Sequence, residues 1–343
     1  MLFALKSPCV LCYNLTINDV TTMTTELSFI EDTLFPHFRK LTINDLLAYS
    51  DFYSRHLAPY ADISPANLYS WLDIDGTLEI SGIDGGLILK YANPFAHNST
   101  SFLVLKPQIA TDDLQRLVEY QRDNKYNLGL REQPIATVSS IIHDFPQNGF
   151  TVVPNRDSWE YILDVKAHAE LIGREYDSRK RGIQWFEHEH SHEKIDLEYF
   201  SHPNDELKNR LYEAISLWQL TAKESETFDD TNREFEALVY AIGTLDTFNR
   251  HCIVLTLDSR IFGFGIFAIF DDTAIAGHLK VDYSLRRVFD YATYRLALVL
   301  NDLGIPYLNV EQDLGISNLR KHKQLMRPIR MLEKVDVIPL SDS

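Results

Sequence analysis

Between Cys252 and Val281 the sequence places three apolar, strand-like runs with almost nothing between them: Cys252–Leu257, Phe262–Phe270 and Ala274–Val281. The first two are joined across Asp258-Ser259-Arg260, a hairpin-length connection. The hydrophobic period then changes. The spacing predicts a helix over 287–302, a strand over Tyr307–Val310, a short helix over 317–325 and a strand over Ile329–Val337. An antiparallel meander that continues as helix–strand alternation fits neither an all-β sandwich nor a purely parallel doubly wound sheet. It predicts an α+β fold on a mixed α/β sheet.

Upstream, Trp159–Val165 alternates as a strand. Residues 167–190 read as a helical region broken near Gly173, and Lys194–Phe200 as another strand. Leu207, Leu211, Ile215 and Trp218, then Phe235, Val239, Ile242 and Leu245, recur at helical spacing over 205–222 and 233–248. The first half shows a looser version of the same order. A strand over 37–43 leads to a helix capped at Asn44-Asp45, and Ser64-Pro65 starts a second short helix. A hairpin turns at Ile83-Asp-Gly-Gly, followed by a strand at 101–106, helices near 112–125 and 134–143, and a strand at Phe150–Val153. A chain of 343 residues holds about two domains. The expected division is an extension over 1–22 with Met23 as the working start, one unit over 23–155 and a related one over 156–343. No Pro/Gly/Ser linker separates the units, so they are expected to pack as one body.

The 33 basic and 49 acidic residues give a net charge of −16, the wrong sign for coating nucleic acid or an anionic membrane, though compatible with a local basic patch. Three cysteines form no framework, which makes the cytoplasm the expected compartment. Cys9 and Cys12 have no second pair or nearby histidines and are a weak metal signal. The most apolar run, Ile261–Phe270, is half the length a spanning helix needs.

The sequence contains no GxSxG, GxxxxGK[ST] or GxGxxG. Gly263 and Gly265 read as close packing within a strand. His188, His190 and His192 alternate, but at a helix end, where the macrodipole alone favours histidine, so no metal is expected. Asn309-Val-Glu311-Gln-Asp313-Leu-Gly315 differs, because it leaves a strand through a glycine and so puts two carboxylates where open sheets bind ligands. Two readings stand for this pair: a base or a holder of a cationic amine, or a helix cap and an ion pair. On the first reading, Asp313→Asn abolishes activity with little change in melting temperature. Directly after it, the stretch from Gly315 to Lys334 carries six Lys/Arg against one acid, including Arg320 and Lys323, a plausible contact for a phosphate-bearing donor or a solvated helix face.

Together, Glu160-Tyr161-Ile-Leu-Asp164, Leu171-Ile-Gly173-Arg174, Arg179-Lys180-Arg181 and Phe186 precede Asn309-Val-Glu311-Gln-Asp313-Leu-Gly315 and Leu319-Arg320-Lys-His-Lys323 … Pro328. This order resembles the bacterial family similar to the C-terminal domain of phosphatidylglycerol lysyltransferase, over most of 157–335. The resemblance implies a tandem duplication of two GNAT-like (acyl-CoA N-acyltransferase) domains. It also implies transfer of an aminoacyl group from aminoacyl-tRNA, or of an acyl group from a coenzyme A thioester, to an amine or hydroxyl. On that basis Glu311 and Asp313 are the catalytic candidates, with Arg320 and Lys323 binding the donor. Asp282, Arg286 and Arg287 would line the turn that meets a CoA pyrophosphate, although Asp282-Tyr-Ser-Leu-Arg286-Arg287 lacks the glycines that let amides approach phosphate. The strong acidity disfavours tRNA as a partner, and no membrane segment is present to offer a lipid. An acetyl-CoA-dependent N-acetyltransferase and an inactive ligand-binding or regulatory module are the alternative readings.

Overall fold

The computed structural model describes residues 32–72, 77–92, 100–139, 141–143, 147–222 and 228–340. The extension over 1–22 and the Cys9–Cys12 pair lie outside the described residues. In the first half, β1 (Arg39–Lys40), β2 (Glu79–Ile83), β3 (Gly86–Ala92) and β4 (Thr100–Leu105) form an antiparallel sheet. Helix α1 (Ile43–His56) buries Leu46, Tyr49, Phe52 and Tyr53 in the core shared with this sheet. Its cap is Thr42 rather than Asn44-Asp45. The Thr42 hydroxyl accepts the Asp45 N–H, while the Asp45 carboxylate accepts the Thr42 N–H at 2.8 Å and pairs with Arg39. Helix α2 (Pro65–Asn67) starts from Ser64 as expected.

Helix α3 (Thr111–Asp123) follows, but the helix expected over 134–143 does not form. Leu130–Pro134 is strand β5, and only one turn, α4 (Ile135–Val138), succeeds it. Tertiary pairing overrides the local pattern here. The buried Gln133 side chain accepts from Val104 N–H at 3.1 Å and donates to Val104 C=O at 2.8 Å, splicing β5 to β4 like a rung of backbone ladder. Strand β6 (Phe150–Pro154) completes this half.

The second half runs β7 (Glu160–Asp164), α5 (Val165–Glu170), α6 (Asp177–Glu189), β8 (Ile195–Phe200), α7 (Asp205–Ala222) and α8 (Phe228–Gly243). Gly173, at φ 110°, makes the expected break between α5 and α6. The meander then appears as β9 (Arg250–Leu257), β10 (Arg260–Phe270) and β11 (Thr273–Val281). Helix α9 (Val288–Asp302), β12 (Tyr307–Gln312), α10 (Ser317–Leu325), β13 (Arg330–Leu332) and β14 (Lys334–Pro339) follow. Seven of these strands form one sheet in the order β13-β7-β12-β11-β10-β9-β8, parallel only between β11 and β12. The α+β class with a mixed sheet is as the order of elements predicts.

The strand expected over Ile329–Val337 is two strands in two sheets. Arg330–Leu332 edges the seven-stranded sheet beside β7, whereas Lys334–Pro339 crosses to the first half and lies between β5 and β6. Val335 and Val337 thereby enter the core containing Leu114, Leu117 and Leu130. A second shared core joins Tyr53, Leu57 and Leu103 to Phe248, Phe270 and Ile275, with the Tyr53 and Phe270 rings edge-on at 4.7 Å. Among the described residues, no helix is long and apolar enough to cross a membrane.

Candidate active site

The parallel pairing of β11 with β12 runs from Thr273↔Tyr307 to Ile275↔Asn309 and stops. Both strands bulge at that point. On β11, Gly277 is the extra residue between His278, opposite Ile266, and Ala276, opposite Phe267. On β12, Val310 and Glu311 together stand between the Asn309↔Ile162 and Gln312↔Glu160 pairs, against a single residue of β7. Glu311 adopts φ 63°, a conformation that costs a non-glycine residue about 1–3 kcal/mol and persists only where its surroundings impose it. Lys323 of α10 supplies that constraint by donating to Val310 C=O and, at 2.6 Å, to Gln312 C=O, the carbonyls on either side of Glu311. Asn309 Oδ1 accepts the Glu311 N–H at 2.8 Å.

The Glu311 carboxyl reaches the first half, where Asn67 Nδ2 donates to its Oε1 at 2.7 Å. Burial pushes its pKa up to about 7, against the opposing pull of Lys323 and Asn67. At neutral pH such a group is available both as acid and as base.

Asp313, two residues on, is the opposite case. Its fully buried carboxylate accepts from Tyr161 Oη at 2.5 Å, Arg156 at 3.1 Å, Arg320 Nε at 3.0 Å and Nη2 at 2.7 Å, and Gly315 N–H at 3.0 Å. Burial opposes its charge, but the bonds from Arg320, Tyr161 and Gly315 outweigh that and bring its pKa down to about 2. Gly315 is required by its φ of 74° and because a Cβ there would meet Asp157 Oδ2 at 2.8 Å. With five donors on it, Asp313 pins β7, β12 and α10 together and has no lone pair left for a substrate proton.

Asp313→Asn should therefore cost stability, about 3 kcal/mol, at the low end for a broken buried pair because both arginines are about a third exposed. Thermal unfolding would show this as a loss of several degrees. An unchanged melting temperature with lost activity would restore the base role. The native contribution is present above the ordinary carboxylate value of 3.8 and is lost as pH falls through about 2.

A segment of the first half, residues 59–70, completes the site. Pro59 C=O accepts from Asn309 Nδ2 at 2.8 Å, and Ala61 N–H donates to Glu160 Oε2 at 2.8 Å. Asp62 meets Lys334 at 2.5 Å, and Lys334 meets Glu160 at the same distance, both Lys334 and Glu160 having no exposed surface. Glu160 also accepts from Asn309 Nδ2 at 2.6 Å. The two halves thus share one buried polar network behind Glu311.

Of the residues singled out in the sequence, Glu311, Asp313, Arg320 and Lys323 come together. Arg320 is committed to Asp313 and, at 2.6 Å, to Asp157, and Lys323 to the bulge carbonyls, so neither presents a free cation to a phosphate. The other three lie elsewhere. Arg286 stacks over Trp185 at 5.0 Å, Arg287 pairs with Asp290 at 3.3 Å, and Asp282 accepts from Ser284. Among the described residues, no hydrogen bond joins these three to Glu311 or Asp313. Asn67, Asp62 and Lys334 went unnoticed in the sequence. Nothing local marks them, since Asn67 is 244 positions from Glu311 and Lys334 is 272 from Asp62.

The model of the family described as phosphatidylglycerol lysyltransferase, C-terminal, matches residues 57–335, across both halves and including the 59–70 segment. The chain belongs to that family. Among solved structures, it is similar to a conserved protein of unknown function from Bacteroides thetaiotaomicron, at 21% identity and a TM-score of 0.73, covering 88% of this chain and 99% of that one. It is also similar to L-PGS from Bacillus licheniformis, at 12% identity and a TM-score of 0.59, covering 89% and 94%. GNAT-fold and tandem GNAT proteins stand among its further structural neighbours. No curated protein matches the sequence. In this member of the lysyltransferase C-terminal family, the two separated signatures meet across β7 and β12, where Glu160 accepts from Asn309 and Tyr161 donates to Asp313.

Proposed function

We propose that the protein is a transferase that moves an aminoacyl or acyl group onto an amine or hydroxyl acceptor, with Glu311 as the base. Membership of the lysyltransferase C-terminal family supports the transferase class. The observation that carries the role of Glu311 is its half-buried carboxyl, held on a strained bulge at the strand split with a pKa near 7. As the acceptor nitrogen or oxygen bonds to the donor carbonyl carbon, its proton passes to Glu311. The same proton then leaves with the departing group as the bond from carbonyl to donor breaks. Asn67 holds one carboxyl oxygen and so orients the other. Lys323 and Asn309 act as positioning residues for the bulge.

The engaged state of Arg286 and Arg287 weakens a CoA pyrophosphate site at their turn, and the net charge of −16 weakens an extended tRNA contact. Both donors therefore belong in the test. The full chain is incubated separately with lysyl-tRNA and with acetyl-CoA, each with a panel of amines and alcohols, and release of uncharged tRNA or free thiol is followed. Turnover with either donor, rising with pH through about 7, is the expected result. Binding without turnover for both would make the chain a ligand-recognition module of this family.

A further inference from the structure

A second feature of the strand split is a small pocket lined by Ser64, Asn67, Arg250, Phe267, Gly277 and His278, among others, enclosing about 260 Å³ including its mouth. We infer that this pocket binds the carboxylate group of a substrate, held by the His278 imidazole in the field of the buried Arg250 guanidinium.

Three observations support the inference. Arg250 is 5% exposed, and its terminal N–H groups go to Ala241 C=O, Thr244 Oγ1, Ala66 C=O and Ser70 Oγ, all neutral acceptors. Among the described residues no carboxylate pairs with it, so its positive charge stands uncompensated beside the pocket. His278 is 6% exposed, and its Nε2 has no hydrogen-bond partner although it is buried. The β11 bulge at Gly277 sets the residues on either side of it in altered register, and the Trp71 ring stacks on the His278 imidazole at 5.6 Å. Burial and the nearby Lys280 and Arg250 keep that imidazole neutral, so with its proton on Nε2 it is a donor without a positive charge of its own. A neutral donor without a partner, on a residue that lines a pocket beside a cation with no carboxylate on it, is complementary to an oxyanion. The innermost space is about that of one water molecule, so a single oxygen of a carboxylate enters it and a tetrahedral phosphate does not.

Asn67 belongs to both places, lining the pocket while donating to Glu311. The inference therefore deepens the transferase reading by giving the acceptor an anionic end beside the base. Its test does not depend on turnover, so either can fail alone.

The melting temperature of the full chain is measured in sodium acetate, sodium chloride and sodium phosphate at equal ionic strength. Acetate at roughly ten times its Kd should raise it by about 2 °C over chloride, and phosphate should not. His278→Phe, which keeps a ring on Trp71 but removes the donor, should abolish the difference. Gly277→Ala should do the same without touching a charge, because its Cβ would sit 3.5 Å from Asn67 Oδ1, an ordinary contact that narrows the pocket. Equal melting in acetate and chloride would overturn the inference. So would an acetate effect that survives in both variants, or a larger effect of phosphate.

Discussion

Lys334→Met should destabilise the protein by about 3–5 kcal/mol at neutral pH, the largest stability effect expected of any single substitution here. Lys334 has no exposed surface and lies 2.5 Å from both Asp62 and Glu160. Removing its charge leaves two buried carboxylates facing each other with no cation between them. Burial, together with the charge of Glu160, already raises the Asp62 pKa despite the lysine. The two acids also raise the Lys334 pKa against burial. Its contribution is thus fully present below the ordinary lysine value of 10.5, throughout the neutral range, and fades only as pH rises past the raised one. The variant's deficit should shrink on acidification, because one carboxyl can then protonate and share a hydrogen bond with the other. Urea unfolding of both proteins at pH 5 and pH 8 checks this. A deficit below about 1 kcal/mol at pH 8, or one that grows on acidification, would show that the lysine is not holding the halves together.

Glu311→Gln should lower the transfer rate by roughly 10²- to 10⁴-fold, the usual worth of a positioned general base. The amide keeps the shape of the carboxyl and an oxygen for Asn67 Nδ2, so the loss isolates proton transfer from packing. The wild-type rate should climb as pH rises through about 7, where Glu311 ionises, and the residual rate of the variant should lack that step. Stability should move the other way. A carboxyl whose folded pKa is raised from 4.5 to about 7 favours the fold fully below 4.5, and that advantage is lost as pH rises through about 7. Above pH 7 the glutamine variant should then be the more stable protein while being the less active one. A variant that is less active and less stable at pH 8 would indicate that Glu311 serves the fold and not the chemistry.

These two residues show which parts of the molecule were legible in advance. The meander of β9–β11 and the succession α9, β12, α10 follow the sequence reading to within a few residues, because each of their apolar periods is satisfied by neighbours nearby in the chain. The reading failed where a segment answers to a distant partner. Leu130–Pro134 becomes a strand through Gln133 and Val104 and through pairing with β14, and the last predicted strand splits at Glu333 because its two parts belong to different sheets.

The candidate site divides in the same way. Chemical type and place along the chain identified Glu311 and Asp313: two acids leaving a strand through a glycine, followed by Arg320 and Lys323 one to two helical turns later. The sequence by itself therefore determined the fold class, the family signature and four of the residues that come together at the candidate site, Glu311, Asp313, Arg320 and Lys323. Which acid is held ionised and which has its pKa raised was decided only by tertiary structure. Asp313 meets Arg156, Tyr161 and Arg320 and is held ionised, whereas Glu311 is turned by a bulge against Asn67 of the other half and loses part of its water. A carboxyl's pKa depends on its solvation and on the charges within a few ångströms, and in this chain those neighbours come from positions up to 244 residues away.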